Sequence, residues 1–208
     1  MKYETVFWDF DGVILNSMPI RNSGFKEVLR QYSDQHVMKL MDFHLENGGL
    51  SRYVKFRHFQ TEILKKPVDE KQISDWSSQF SALMRTTLTN TNLLIKDSVS
   101  FIKREFMNRD FYIVSGSDGE ELRFLAGQLG IDLFFKGIYG SPTPKQQLVE
   151  EILDKESVDR SKCCLIGDSK NDFEAAKFNG IDFIGYNNPN LKSIGDYYVA
   201  SFSHGLPR

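Results

Sequence analysis

The chain has almost no cysteine to build with: two in 208 residues, adjacent at Cys163 and Cys164. Neighbouring cysteines inside the apolar stretch CCLIG exclude a disulfide framework and a zinc site, and read as two buried strand residues. Histidine is scarce as well, at four residues. Of these, His36, His44 and His204 have no companion at metal or triad spacing and are expected in structural or surface roles. No apolar run approaches the roughly 20 residues that a membrane-spanning helix needs. The opening MKYETVFWDF places an acid where a signal peptide would be apolar, so a cytoplasmic chain is expected. Neither sign of charge dominates: 26 Lys and Arg against 28 Asp and Glu leave a net −2. So weak a field excludes a general nucleic-acid binder. Internal repeats and low-complexity tracts are also missing.

What is present is ordinary for a folded chain, with 40% hydrophobic and 26% charged residues, and it is long enough for one domain carrying an insertion. Short β-rich runs recur at 3–9, 111–116, 136–140, 162–168, 182–187 and 196–201. Several lack polar alternation, as strands covered on both faces do. Helical patterns lie between the later runs, in DGEELRFLAGQLG, PKQQLVEEILDKE and NDFEAAKFNG. Strands alternating with helices predict an α/β fold, a Rossmann-like, doubly wound parallel sheet. The stretch 17–91 breaks the rhythm with helical patterns alone, among them GFKEVLRQY, LSRYVKFRHFQTEILKK and DEKQISDWSSQFSALMRTTL. Residues 1–16 and 92–208 are therefore expected to form the core and residues 17–91 an inserted helical domain. Phe7, Trp8, Phe10, Trp76 and Phe80 are expected in core or insertion packing, and the closing SFSHGLPR as a surface tail.

Ligands of open parallel sheets bind beyond the carboxyl ends of the strands. Polar residues gather there: Asp9 and Asp11 in FWDFDG, Ser115 after FYIV, Ser141 to Lys145 after GIYG, and Asp168 and Asp172 in GDSKND. Each alone has a plain structural reading. Asp-x-Asp-Gly forms solvated turns, Ser115 or its rival Asp118 caps a helix, Asp168 caps another, and Lys145 is a solvated first-turn residue. Their joint placement at one end of one sheet is what points to a site. Two unit charges about 4 Å apart interact by roughly 4 kcal/mol at an effective dielectric of about 20. Clustered carboxylates must therefore take up protons or a divalent cation. Oxygen ligands without histidine or cysteine point to Mg²⁺ rather than zinc.

The set DFDGV at 9–13, Ser115, Lys145 and GDSKND at 167–172 resembles the haloacid dehalogenase-like superfamily, specifically its aspartyl phosphatases. The likeness covers residues 1–16 and 92–187, with the motifs in the family's order. The insertion is similar to the family's α-helical cap. The resemblance implies a Mg²⁺-dependent phosphatase acting on a small phosphorylated metabolite, with no nucleic-acid or membrane partner. Asp9 would be the nucleophile and Asp11 the general acid and base. Ser115 and Gly116 would hold phosphoryl oxygens, and Lys145, with Lys136 in reserve, would balance their charge. Asp9, Asp11, Asp168 and Asp172 would serve the metal. The chain departs from the family at Asn16, often aspartate, and at Arg21, often histidine.

In the helical insertion, the G-L-S-R of NGGLSRYVKFRH is similar to the Gly-x-Ser-Arg of β-phosphoglucomutase caps. Arg52 is thereby expected to meet an anionic part of the substrate, and Lys55, Arg57 and His58 to be solvated helix residues. A phosphomutase of the β-phosphoglucomutase type and a non-catalytic binding protein are the alternatives. Gly167, where mutases commonly carry an acidic metal ligand, favours hydrolysis.

Overall fold

The run TVFW lacks charged residues because the fold covers both of its faces. In the computed structural model, which describes residues 2–207, this run is β1 (Thr5–Trp8), and alternate residues enter opposite cores. Val6 and Trp8 face one core and Phe7 the other. The partner strands split in the same way: Phe111 and Ile113 against Tyr112 and Val114 in β2 (Asp110–Asp118), Cys164 and Ile166 against Cys163 and Leu165 in β4 (Cys163–Gly167). This is the two-residue period of a pleated strand buried on both sides. The two cysteines are free and buried, as expected.

With β3 (Gly137–Ser141), β5 (Asp182–Tyr186) and β6 (Tyr197–Val199), the strands form one parallel sheet ordered β3-β2-β1-β4-β5-β6. The chain moves outward from β1 to β3 and then returns to pair β4 with β1. The switch point therefore lies at the carboxyl ends of these two central neighbours. All six strands lie where the β-rich runs predict them, and the fold is the expected Rossmann-like one.

Helices α5 (Lys96–Glu105) and α6 (Gly119–Gln128) pack on the Trp8 face, and α7 (Lys145–Glu156) and α8 (Lys170–Phe178) on the Phe7 face. Between β1 and α5 come α1 (Met18–Val28), α2 (Asp34–Glu46), α3 (Arg52–His58) with a π-helical turn at Phe59–Ile63, and α4 (Glu70–Thr87). Ser33, Ser51 and Asp69 cap α2, α3 and α4 with side-chain oxygens, which fixes where each helix starts. Phe25, Phe56, Trp76 and Phe80 form their aromatic centre, with the rings of Phe25 and Phe80 4.5 Å apart. None of the described helices is long and apolar enough to cross a membrane.

Two expectations need correction. Helix α1 begins at Met18, six residues ahead of the GFKEVLRQY pattern, so Arg21 comes to lie on it. The closing segment is no surface tail: Phe202 is 1% exposed and its ring lies 5.4 Å from Trp8 and 4.7 Å from Tyr186.

Candidate active site

Asp9 leaves β1 at the switch point. Its N–H donates to the Ile166 carbonyl at 2.9 Å, continuing the β1–β4 ladder by one residue. The carboxylate is buried, and Oδ1 accepts from Lys145 Nζ at 2.8 Å. Lys145 opens α7 and is buried itself, with Asp172 as its second partner. Asp172 belongs to a capping box, its Oδ2 accepting from Ser169 N at 3.0 Å and from Ser169 Oγ at 2.7 Å. Both Asp172 oxygens are thus engaged within the protein, and their effect is to hold Lys145 under Asp9. Lys136, the reserve lysine, is absent from this group: it pairs with Asp110 on the surface at 2.7 Å.

Asp168 follows β4. Its Oδ2 approaches Gly12 so closely that a Cβ there would lie 2.0 Å away, and Gly12 has φ +77°. Only glycine satisfies both conditions. Asp9, Asp168 and Asp172 each offer an oxygen within 4.8 Å of the others. Burial, and then repulsion within the group, push Asp9 and Asp168 well above the usual carboxylate range, which Lys145 only partly offsets. Burial opposes charge on Lys145 too, but Asp172 and Asp9 raise it above its ordinary value. A crowded, oxygen-only set that holds protons for want of positive charge fits a hard divalent cation.

Asp11 lies in different surroundings. Burial works against its charge, yet Arg21, with Ser117 and Ser17, holds it below the usual range. Arg21 Nε donates to Oδ1 at 2.5 Å, Ser117 Oγ to Oδ2 at 2.5 Å, and Ser17 Oγ to Oδ1. The Arg21 Nη1 donates to Glu121 Oε1 at 3.0 Å. Glu121 is fully buried and shared with Arg52, which also bonds Ser81 and pairs with Asp118 at 3.3 Å. Ser115 is buried and accepts from Ser117 N at 3.1 Å; Asp118, rather than Ser115, caps α6. Beside Ser115 a Cβ on Gly116 would meet the Gly49 carbonyl oxygen at 2.2 Å.

These side chains face a cavity of about 400 Å³ between the sheet and the inserted helices. Asp9, Asp11, Ser115, Gly116, Asp168 and Arg52 line it, together with Lys55 and His44. Lys145 and Asp172 lie beneath Asp9 rather than on the cavity wall, and Lys136 does not join them. The structure also corrects one expectation: Lys55 is 3% exposed, not solvated, and donates to the Gly48 carbonyl at 3.0 Å. Burial, and then Arg21, push it down to about 7. Arg57 is an exposed partner of Glu70, and His58 stacks on Phe43 at 3.7 Å. His44 is buried beside Asn22 Oδ1 at 2.8 Å, and burial pushes it down to about 3. Sequence reasoning missed Ser17, Ser117 and Glu121, and treated Arg21 only as a departure.

A 5'-nucleotidase of Pseudomonas aeruginosa is 34% identical over 79 residues, a match that spans only 36% of this chain and 36% of that protein. A phosphoglycolate phosphatase of Colwellia psychrerythraea is 24% identical over 192 residues, 88% of this chain and 83% of the other. The HAD-hydrolase YfnB of Bacillus subtilis, solved bound to magnesium, shares the fold with a TM-score of 0.72 at 17% identity, over 98% of this chain and 97% of its own. The model of the family described as haloacid dehalogenase-like hydrolase matches residues 6–186, so the chain belongs to that family of hydrolases.

Proposed function

We propose that this hydrolase is a Mg²⁺-dependent phosphoric monoester hydrolase of the cytoplasm, which releases phosphate from a small phosphorylated metabolite through a phosphoryl group carried on Asp9. The observation that carries this reading is the 2.8 Å contact of Lys145 with Asp9 inside the acidic group at the switch point. A carboxylate needs no base to act as a nucleophile, provided it stays ionised when buried. Lys145 serves that condition in part, and a bound cation would complete it.

Asp9 attacks phosphorus and the bond from phosphorus to the ester oxygen breaks; Asp11, held ionised by Arg21 in this structure, first takes up a proton from solvent as the substrate displaces that contact, and gives it to the ester oxygen. Water then attacks the same phosphorus, Asp11 takes a proton from the water, and the bond to Asp9 breaks. For each transfer Asp11 exchanges one of its present partners for the reacting oxygen. Ser115 Oγ and the Gly116 N–H hold the transferring oxygens. Asp9, Asp168 and the Asp11 carbonyl would hold Mg²⁺, which would supply positive charge against those oxygens, and Asp172 acts through Lys145 and Ser169.

Residues 1–16 and 92–208 form the core in this reading and residues 17–91 the cap. Arg52 offers the substrate its one unpartnered donor, Nε. The cavity suits a small ester, and relatives named 5'-nucleotidase and phosphoglycolate phosphatase support that class. Gly167 favours hydrolysis over phosphomutation: a Cβ there would lie 2.3 Å from the Asp172 Cβ, which leaves no room for an acidic ligand.

The test is turnover of p-nitrophenyl phosphate. Asp9→Asn is expected to abolish it while the variant stays folded by circular dichroism, and wild-type activity to vanish with EDTA and return with Mg²⁺. Undiminished hydrolysis by Asp9→Asn would overturn the reading.

A further inference from the structure

Among the described residues that line the cavity, Lys55 is the one cation without a carboxylate partner. Arg21 is met by Asp11 and Glu121, and Arg52 by Glu121 and Asp118. Beneath Asp9, Lys145 is met by Asp9 and Asp172. Lys55 has only the Gly48 carbonyl, although an ammonium has three donors to place. Around it lie the Phe25 ring 5.9 Å away, Arg21 and the uncharged His44; Asp11 and Asp9 attract it through space, but neither forms an ion pair with it. A buried ammonium in such a setting is costly unless an anion completes it.

We propose that Lys55 binds a second anionic group of the substrate, a carboxylate or a phosphate that is not transferred, and so selects phosphate esters that carry one. This rests on the phosphatase reading above. The transferring phosphoryl group is met from the sheet side by Ser115, Gly116 and Lys145, whereas Lys55 reaches the cavity from helix α3 of the insertion. It is therefore placed to meet the leaving-group half of the substrate. The same wall holds two more buried donors without partners, Arg21 Nη2 and Arg52 Nε. An arriving anion would find both arginines largely neutralised by Glu121, Asp118 and Asp11, and Lys55 not.

The test compares hydroxyethyl phosphate, phosphoglycolate and ethylene glycol bisphosphate, which share a two-carbon frame and differ in the second group. Wild-type protein is expected to favour at least one acid-bearing ester over hydroxyethyl phosphate by about tenfold or more in kcat/KM, the range of a hydrogen bond to a charged group. The preferred ester tells carboxylate from phosphate. Lys55→Met, which keeps the buried stem, is expected to erase most of that preference, chiefly through KM. Lys55→Gln repeats the comparison if the methionine variant does not fold. Absence of the preference in wild type, or equal loss on all three esters in the variant, overturns the proposal. Calorimetric binding to Asp9→Asn separates it from the hydrolase reading. If no ester is hydrolysed but removal of the Lys55 charge weakens binding of an acid-bearing ester about tenfold, the anion site stands and the phosphatase reading falls. Equal binding with and without Lys55 sinks the anion site.

Discussion

The carbonyl oxygen of Gly49, in the inserted segment, lies 2.2 Å from where a Cβ on Gly116 would be. Backbone thus meets backbone where the loop before α3 covers the end of β2. Gly116→Ala would force that loop away from Ser115 and open the cavity to water. The expected outcome is a loss of kcat/KM on p-nitrophenyl phosphate of about tenfold or more, in line with the effect of displacing positioning groups. Thermal unfolding should change little, because the displaced loop carries few core side chains. Steady-state kinetics and a melting curve on the same preparation check both halves.

Arg21 and Asp11 form a mostly buried ion pair, and removal of one partner leaves the other charge uncompensated. Arg21→Met is expected to cost about 3–5 kcal/mol of stability near neutral pH. The sign with pH follows from the lowered Asp11 value. A group depressed in the folded state contributes stability above its unfolded value of 3.8, and loses it as pH falls through the lower folded value. The gap between wild type and Arg21→Met should therefore be widest above about pH 4 and should shrink under more acid conditions. Denaturant unfolding at a series of pH values measures it.

The strands and the acidic cluster were legible because both are written locally. Burial on two faces leaves β1 and β4 without charged residues, and an aspartate that directly ends such a run has few places to go but the sheet's carboxyl edge. Lys55 was not legible, because its burial is decided by Phe25, Gly48 and His44, which come from other elements. Glu121 was hidden for a related reason. It stands next to Glu120 in the first turn of α6, and only the arrival of two arginines from the insertion makes one of these acids fully buried while the other stays exposed. Helix α5 went unread because its sequence KDSVSFIKRE mixes β-branched and polar residues. Its apolar face, Val99, Phe101 and Ile102, takes meaning only against Trp8 and Phe111.

Asp9 and Asp168 carry the opposite pH signature from Asp11. Their raised values mean that the folded protein binds more protons than the unfolded chain at pH values above the ordinary carboxylate range. Without metal, stability should therefore fall as pH rises from about 4 toward neutrality. Mg²⁺ should reverse the trend, raising Tm more at higher pH, and its binding should release protons. Calorimetry in buffers of different ionisation enthalpy counts them. A Mg²⁺ effect on Tm that does not vary with pH would contradict the assignment of this pair as ligands.

Phe202 closes the core on the Trp8 side. Its ring meets Trp8, Phe101 and Tyr186 at 5.4, 5.3 and 4.7 Å, and its N–H donates to Asp97 Oδ2 at 3.0 Å. Phe202→Ala removes a fully buried ring from among other rings that cannot collapse into the space, and should cost about 3–5 kcal/mol. For a chain of this size that corresponds to a fall in Tm of roughly 10 °C. Asp9 follows Trp8 in the chain, but its carboxylate is held by Lys145 of α7, which packs on the opposite, Phe7 face of the sheet, so kcat/KM at a temperature below both transitions should stay within about twofold of wild type. Because Trp8 is buried against this ring, near-ultraviolet circular dichroism would report the loss of packing directly. An unchanged Tm would mean that the segment carrying Phe202 does not hold this place in solution.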